Sequence, residues 1–117
     1  MKLYHYPKCS TCRKAVKFLN ELNIDFESID ITTQPPSKLE LKMMLDSYDG
    51  DIRKLFNTSG VQYRELKIKD KITTLTVDDA IELLAGNGKL IKRPFLLNGN
   101  NGIVAFKEAQ WSTFLRV

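Results

Sequence analysis

The two cysteines of the chain lie in one tetrapeptide, Cys9-Ser10-Thr11-Cys12. A short run rich in Tyr and Leu, from Lys2 to Tyr6, precedes the tetrapeptide and predicts a first strand that Pro7 ends. A disulfide scaffold would instead spread its cysteines along the chain to connect distant loops. A Cys-x-x-Cys spacing beside a strand-helix pattern therefore indicates a redox pair in a protein whose thiols are kept reduced.

The residues from Ser10 to about Leu22 predict an amphipathic helix. Their apolar members recur at the spacings of one helical face: Ala15, Val16, Phe18, Leu19 and Leu22. Phe26, Ile29 and Ile31 then mark a second strand, and a helix of this length returns that strand parallel to the first. The first third of the chain therefore predicts a βαβ unit.

A largely helical segment, residues 38–88 approximately, follows this unit. Ser37-Lys38-Leu39-Glu40 has the form of a capping box at the start of a helix. Asp51–Phe56 predicts a short helix, and Thr76 begins another. The intervening residues 61–75 stay ambiguous, because their alternation is partial and their charge is high.

The last third of the chain changes to the pattern of strands. Phe95-Leu96-Leu97 and Ile103-Val104-Ala105-Phe106 flank the turn Asn98–Gly102, which predicts an antiparallel hairpin, and residues 107–115 predict a closing helix. The order βαβ, helical insertion, ββα predicts an α/β fold of the thioredoxin-like plan, with one four-stranded mixed sheet. The 117 residues suit one domain, 1–117, with the helical insertion inside it.

Composition and charge exclude several other classes of protein. The 43% hydrophobic and 27% charged residues are typical of a globular chain, and no apolar run approaches the ~20 residues of a membrane span. The N-terminus lacks a secretory signal, so we expect a cytoplasmic protein. The net charge of +4 is dispersed, as in Arg64-Glu65 and Lys69-Asp70-Lys71. This pattern favours a solvated surface over direct nucleic-acid binding, while weak attraction to anionic substrates stays open.

Cys9 lies where the first helix is predicted to begin. The free amides and the dipole of a helix N-terminus favour an anion there, and Lys8, Arg13 and Lys14 add positive charge nearby. Such surroundings lower the pKa of a thiol below its usual value of ~8.5. We therefore predict that Cys9 is the nucleophile and that Cys12, one helical turn further on, resolves a mixed disulfide.

Other roles for the residues around the tetrapeptide stay open. His5, the only histidine, and the two cysteines provide at most three of the four ligands of a structural zinc ion, so metal binding would need a carboxylate or a second chain. His5 either bonds to a neighbouring strand or steadies the Cys9 thiolate. Pro94 either simply begins its strand or also shapes the site.

The stretch from Tyr6 to Ala15, with Lys92-Arg93-Pro94 and the closing hairpin, resembles the arsenate reductase ArsC/Spx family. The resemblance spans essentially the whole chain, including Asn57-Thr58-Ser59-Gly60. It implies a thioredoxin-like fold and a catalytic or redox-sensing Cys9. It also implies a cis Pro94 against the cysteine loop, with Arg93 turned toward Cys9 to bind an oxyanion or a carboxylate.

The family resemblance covers two kinds of function. Glutaredoxin-linked arsenate reductases are similar in their His-x-x-x-Cys loop and hold arsenate with three arginines. Arg93 matches one of these, whereas the other two positions fall at Asn57 and near Phe106, so we expect poor arsenate turnover. The Spx regulators use Cys-x-x-Cys as a redox switch and bind the C-terminal domain of the α-subunit of RNA polymerase. Gly50 lies close to a glycine that contributes to that contact.

We therefore expect a thiol-disulfide oxidoreductase in which Cys9 attacks, Cys12 resolves, and Arg93 with the loop backbone holds an anionic group. Three residues support this site: His5, Arg13 and Pro94. We expect no bound cofactor and a thiol reductant as co-substrate, from glutathione with glutaredoxin, from thioredoxin, or from a related small thiol. The alternative is an Spx-like redox-sensing regulator, and in either case we expect a monomer that binds neither a membrane nor nucleic acid directly.

Overall fold

The computed structural model describes residues 1–117 and confirms the predicted α/β fold. Its four strands are β1 (Lys2–His5), β2 (Glu27–Asp30), β3 (Phe95–Asn98) and β4 (Asn101–Val104), arranged in the order β2-β1-β3-β4. Strand β1 is parallel to β2 and antiparallel to β3, and β3 is antiparallel to β4. This is the mixed sheet of the βαβ and ββα units in a thioredoxin-like fold.

Six helices surround the sheet. They are α1 (Ser10–Glu21), α2 (Lys38–Ser47), α3 (Val61–Glu65), α4 (Ile68–Lys71), α5 (Val77–Gly86) and α6 (Glu108–Leu115), with 3₁₀ turns at Ile52–Leu55 and Gly88–Leu90. The ambiguous residues 61–75 form α3 and α4, whose side chains Tyr63 and Ile68 are buried. None of the helices combines the length and the apolar character that a bilayer crossing requires.

The two faces of the sheet carry separate cores, because successive side chains of a strand point to opposite faces. On one face, Leu3 packs with residues of α1 and with Trp111 of α6. On the other face, Tyr4 belongs to the larger core that the helical insertion builds. The insertion therefore covers one whole face of the sheet, and α1 and α6 share the other.

Glu40 anchors the start of the insertion to the sheet. Ser37 and Glu40 form the predicted capping box, in which each side chain accepts a hydrogen bond from the other residue's backbone amide. The Glu40 carboxylate also accepts a 2.7 Å bond from the Tyr4 hydroxyl and a 3.2 Å bond from the Lys2 ammonium. One carboxylate thus caps α2 and binds it to β1.

The strand predicted to reach Phe106 ends earlier, at Val104. Ala105 adopts the left-handed conformation, with φ of 60°, and turns the chain out of the sheet. The Trp111 indole donates a 2.8 Å hydrogen bond to the Ala105 carbonyl and so holds this turn. Phe106 then lies beside the Trp111 ring, with 5.0 Å between the ring centroids. This tertiary contact, rather than the local apolar pattern, decides where β4 stops.

The outer edge of β4 is closed by hydroxyl groups from the end of α2. The Gly102 amide donates to Ser47 Oγ at 3.0 Å, and the Val104 amide donates to the Tyr48 hydroxyl at 2.9 Å. A Cβ atom at Gly102 would lie 2.6 Å from the Met44 sulfur, so a side chain there would require the end of the Met44 side chain to move. The amides of β4 that face away from β3 are therefore satisfied.

A short backbone bridge joins the insertion to the segment that leads into β3. Phe56 and Ile91 form this bridge as antiparallel partners. The Asn57 amide donates to the Leu90 carbonyl, and the Lys92 amide donates to the Leu55 carbonyl, each at 2.7 Å. The insertion is thereby attached at two points, at its start through Glu40 and near its middle through this bridge.

Replacing Glu40 with Gln is expected to lower the free energy of unfolding at pH 7 by about 1–2 kcal/mol, because charge-assisted hydrogen bonds become neutral ones. Burial opposes ionisation of Glu40, but the bonds from Ser37, Tyr4 and Lys2 outweigh burial and lower its pKa. Stability from a lowered carboxyl pKa is present above the unfolded-state pKa and is lost as pH falls through the folded-state pKa. The difference in the free energy of unfolding between the variant and the parent protein should therefore become smaller below about pH 4.

Urea unfolding followed by Trp111 fluorescence at pH 7 and at about pH 3 measures both effects. The matched control is Glu82→Gln, at an exposed position of α5, which should change stability by under about 0.5 kcal/mol. An equal loss of stability for the two variants at pH 7 would contradict the anchoring role of Glu40.

Candidate functional site

Cys9 occupies the junction between β1 and α1, as the residue that precedes the first turn of the helix. Its amide donates to the Tyr6 carbonyl at 3.0 Å, and its carbonyl accepts from the Arg13 amide at 3.1 Å. Its side chain is partly exposed, whereas Cys12 in the first turn of α1 is 0% exposed. Both thiols are free. The pair therefore has one accessible sulfur and one enclosed sulfur.

The two thiols differ in acidity. Burial acts to raise the pKa of Cys9, but the Cys12 amide and thiol and the Arg93 guanidinium outweigh it and lower the pKa below its ordinary value. The Cys9 sulfur accepts no hydrogen bond that caps α1. The Cys12 and Arg93 groups therefore act on the Cys9 thiol as close polar neighbours. Burial, with the adjacent Cys9 sulfur, raises the pKa of Cys12 to about 12. Cys9 is therefore the more nucleophilic thiol near neutral pH.

Arg93 reaches this sulfur from the start of β3. The Arg93–Pro94 peptide bond is cis, as the fold implies, and Pro94 is buried at the base of the strand. The Pro94 carbonyl accepts a 3.0 Å hydrogen bond from the Ala105 amide. The segment before β3 thus brings a cationic side chain to Cys9.

Tyr6 connects the parts of the site. Its ring lies under the Arg93 guanidinium, with 5.1 Å from Cζ to the ring centroid, which is within the range of a cation–π interaction. Its backbone carbonyl accepts a hydrogen bond from the Cys9 amide. Its backbone also interacts by hydrogen bonding with the Cys12 thiol and so opposes the rise of the Cys12 pKa. One residue therefore contacts both cysteines and Arg93.

A cleft of about 470 Å³ opens beside Cys9. Its lining comes from α1, the insertion, the segment before β3 and the turn after β4: Cys9, Thr11, Asn57, Ser59, Gly60, Val61, Lys92, Arg93, Ala105, Phe106 and Lys107. Three of these side chains are cationic, and none is acidic. Such a lining favours an anionic ligand.

Asn57 and Phe106 both line the cleft, together with Cys9 and Arg93. These are the positions at which the family resemblance implies two oxyanion-binding arginines. An asparagine amide offers a neutral donor, and the Phe106 ring packs against Phe18, with 5.5 Å between centroids, and offers none. The cleft therefore lacks the three convergent guanidinium groups that the arsenate-binding pattern requires.

His5 and Arg13 lie near the cysteines but make other contacts. The His5 ring bonds through Nε2 to the Ser28 hydroxyl on β2. Burial lowers the pKa of His5 against the opposing charge of Asp30, and His5 is not among the groups that set the pKa of Cys9. Arg13 donates a 3.1 Å bond to the Pro7 carbonyl and so fixes the cysteine loop.

No three His, Cys, Asp or Glu side chains converge in the way a metal site requires. The thiol pair therefore remains the chemical centre of the site.

Sequence reasoning missed the contributions of Tyr6 and Lys107. Tyr6 adjoins the cysteine loop, so its place in the motif was visible, but its stacking on Arg93 depends on the fold. Lys107 follows Phe106, and only the turn at Ala105 brings it to the cleft. Both residues come from segments that already carried a predicted site residue.

Comparisons with known proteins agree with the fold and with the motif. Residues 4–114 match the model of the ArsC family. The chain is 48% identical over 111 residues to the uncharacterized protein YusI of Bacillus subtilis, covering 95% of this chain and 94% of YusI. It is 29% identical to the global transcriptional regulator Spx of Streptococcus pyogenes, covering 97% of this chain and 83% of the regulator.

Among solved structures, the chain is similar to one described as a possible arsenate reductase from Streptococcus mutans. The TM-score is 0.89 at 39% identity, and the match covers 97% of this chain and 96% of that protein. Near-complete coverage at this TM-score means that the insertion and both sheet units are shared.

Limiting iodoacetamide at pH 7 is expected to label Cys9 at least about 10-fold faster than Cys12, because the thiolate is the reacting form. Peptide mapping by mass spectrometry after reaction at several pH values measures the ratio. The Cys9→Ser variant serves as the control and should react slowly, through the enclosed Cys12 alone. Preferential labelling of Cys12 would reverse the assignment of the two thiols.

Replacing Tyr6 with Leu is expected to raise the pKa of Cys9, because Arg93 loses the ring that holds it near the sulfur. Replacing Tyr6 with Phe should keep the pKa close to that of the parent protein, since a phenyl ring preserves most of the ~0.5–2 kcal/mol of a cation–π contact. Iodoacetamide rates as a function of pH report each pKa. Identical profiles for the Leu and Phe variants would show that the ring does not position Arg93.

Proposed function

The chain belongs to the ArsC family, and from this membership we propose that it is a thiol-disulfide oxidoreductase rather than an efficient arsenate reductase. The observation that carries the proposal is the asymmetric thiol pair: Cys9 is accessible with a lowered pKa, and Cys12 is enclosed with a raised pKa. Cys9 is thus suited to attack a substrate disulfide, and Cys12, one helical turn away, is suited to resolve the mixed disulfide that forms.

The proposed reaction has two thiol exchanges. The Cys9 thiolate attacks one sulfur of a substrate disulfide, the substrate S–S bond breaks, and the first departing thiolate takes a proton. Cys12 then gives up its proton and attacks the Cys9 sulfur of the mixed disulfide, which releases the second substrate thiol. The protein ends with a Cys9–Cys12 disulfide, and the substrate has gained two electrons and two protons.

Arg93 would assist both steps by its charge. Beside Cys9 it favours the attacking thiolate, and in the mixed disulfide it is free to hold an anionic group of the substrate. An external thiol reductant, either reduced thioredoxin or two molecules of glutathione acting with glutaredoxin, would return two electrons to the Cys9–Cys12 disulfide. This cycle requires a reducing compartment, and we place it in the cytoplasm.

The cleft argues against arsenate as the main substrate. An arsenate dianion needs several strong donors that converge on its oxygens, and only Arg93 among the expected arginine positions is an arginine, because Asn57 and Phe106 occupy the other two. Each charge-assisted hydrogen bond contributes about 1.5–3 kcal/mol, so the loss of two lowers oxyanion binding by orders of magnitude.

A second candidate function is redox-controlled binding to RNA polymerase. It is favoured by the similarity to Spx, which extends over 97% of this chain. In that case the Cys9–Cys12 pair would be a switch, and the C-terminal domain of the α-subunit of the polymerase would be the partner. Both candidates use the same thiol chemistry and differ in what the oxidised form does next.

We expect the reduced protein to turn over a neutral disulfide, bis(2-hydroxyethyl) disulfide, in an NADPH assay coupled through thioredoxin or glutaredoxin, with turnover counted as the rate above that of the coupling proteins alone. Replacing Cys9 with Ser should abolish turnover, because it removes the attacking thiolate. Replacing Cys12 with Ser should leave the first exchange intact and trap a mixed disulfide on Cys9, detectable as a mass increase. Arsenate should support less than about 1% of the disulfide rate.

Arsenate-dependent oxidation of NADPH at a rate comparable to the disulfide rate would overturn this assignment. A pull-down with the C-terminal domain of the polymerase α-subunit, using oxidised and reduced protein, distinguishes the second candidate. Redox-dependent capture in the absence of disulfide turnover would favour the regulator over the enzyme.

A further inference from the structure

The cleft beside Cys9 adjoins a second hollow of about 290 Å³. The two spaces share four lining residues, Asn57, Gly60, Val61 and Arg93, so they are immediate neighbours. The second hollow adds three further side chains to the lining: Tyr6, Gln62 and Lys89. A ligand held at Cys9 can therefore extend past Arg93 into this second hollow.

Asn87 orients the Gln62 side chain in this hollow. Its Oδ1 atom accepts a 3.1 Å hydrogen bond from the Lys89 amide, which fixes the orientation of the Asn87 side-chain amide. Its Nδ2 atom then donates a 3.3 Å bond to Gln62 Oε1. Because the carbonyl end of the Gln62 side chain is occupied, the NH₂ end is left to donate to a ligand.

The polar groups that this hollow can offer to a charged ligand are mainly donors. Lys89 supplies an ammonium, Arg93 a guanidinium and Gln62 an amide NH₂, and no Asp or Glu lines the space. A carboxylate accepts from such donors, and an arginine fork matches its two oxygens. An ammonium group in the same place would meet two like charges.

We propose that this hollow, defined by Gln62, Lys89 and Arg93, is a carboxylate subsite, and that the preferred substrate is a disulfide of a small thiol that carries a carboxylate. The inference rests on the proposed function and names the substrate class for the same thiol pair. Cys9 attacks the sulfur of the carboxylate-bearing half, and the other half leaves as a thiol. Cys12 then displaces the carboxylate-bearing thiol from Cys9, and the Cys9–Cys12 disulfide forms as described above.

Three symmetric disulfides of similar length test the subsite: anionic 3,3′-dithiodipropionate, neutral bis(2-hydroxyethyl) disulfide and cationic cystamine. The measurement is the second-order rate constant for oxidation of the reduced full-length protein at pH 7 and fixed ionic strength, divided by the rate constant of the same disulfide with dithiothreitol, because the leaving-thiol pKa differs among the three. After this normalisation we expect the anionic disulfide to react about 3- to 10-fold faster than the neutral one, and cystamine to react more slowly than both.

Variants of the subsite make the test specific. Lys89→Gln should bring the anionic-to-neutral rate ratio closer to one, whereas Lys42→Gln, which removes the same charge from an exposed position of α2, should leave the ratio unchanged. Gln62→Glu keeps an oxygen that accepts from Asn87 and places a carboxylate in the hollow. This variant should narrow the difference between the anionic disulfide and cystamine, because the new carboxylate compensates one of the two positive charges of the hollow.

The outcomes separate the two proposals. Equal normalised rates for the three disulfides, or equal effects of the Lys89 and Lys42 variants on the ratio, would overturn the carboxylate subsite while leaving the oxidoreductase function in place. Failure of every disulfide to oxidise Cys9 would overturn the proposed function and, with it, the substrate class.

Discussion

The backbone bridge between Phe56 and Ile91 is the constraint on which the site depends. On one strand of the bridge the chain continues into Asn57, and on the other it continues into Lys92 and Arg93. The two walls of the cleft are therefore neighbours through main-chain hydrogen bonds, which do not depend on the side chains that line it. The side chain at position 57 can therefore change while the cleft keeps its shape, because the amide and carbonyl groups that form the bridge are common to all residues.

The chemistry of the cleft follows from a conflict between burial and charge. Partial burial opposes ionisation of Cys9, and the Cys12 amide and thiol, together with the Arg93 guanidinium, outweigh it and lower the pKa of Cys9. Arg93 contributes because its side chain rests on the Tyr6 ring beside the cysteine loop. Cys12 experiences deeper burial and the repulsion of the Cys9 sulfur, so it keeps its proton until the mixed disulfide removes that neighbouring charge.

The parts of the molecule that could be predicted are those governed by local sequence. The first helix, the helix caps at Ser37 and Thr76, the hairpin and the mixed four-stranded sheet follow from periodicity, caps and turn residues, and the structure confirms them. The end of β4 could not be predicted, because the Trp111 indole selects the left-handed turn at Ala105 from another element. The need for glycine at position 88 could not be predicted either. A Cβ atom there would lie 1.7 Å from the Ile31 carbonyl oxygen, a contact between segments far apart in sequence.

The hydroxyl groups of Ser47 and Tyr48 have a consequence for how copies of this chain meet at high concentration. Sheet edges with free amides template the addition of strands from other molecules and are a common origin of aggregates. Because these two hydroxyls occupy the outward amides of β4, that edge offers no donor to an incoming strand. The opposite edge, β2, exposes Glu27 and carries Asp30, whose charges repel a second copy of the same strand. Colloidal stability is thus built into both margins of the sheet, by bonded hydroxyls at one and by carboxylates at the other.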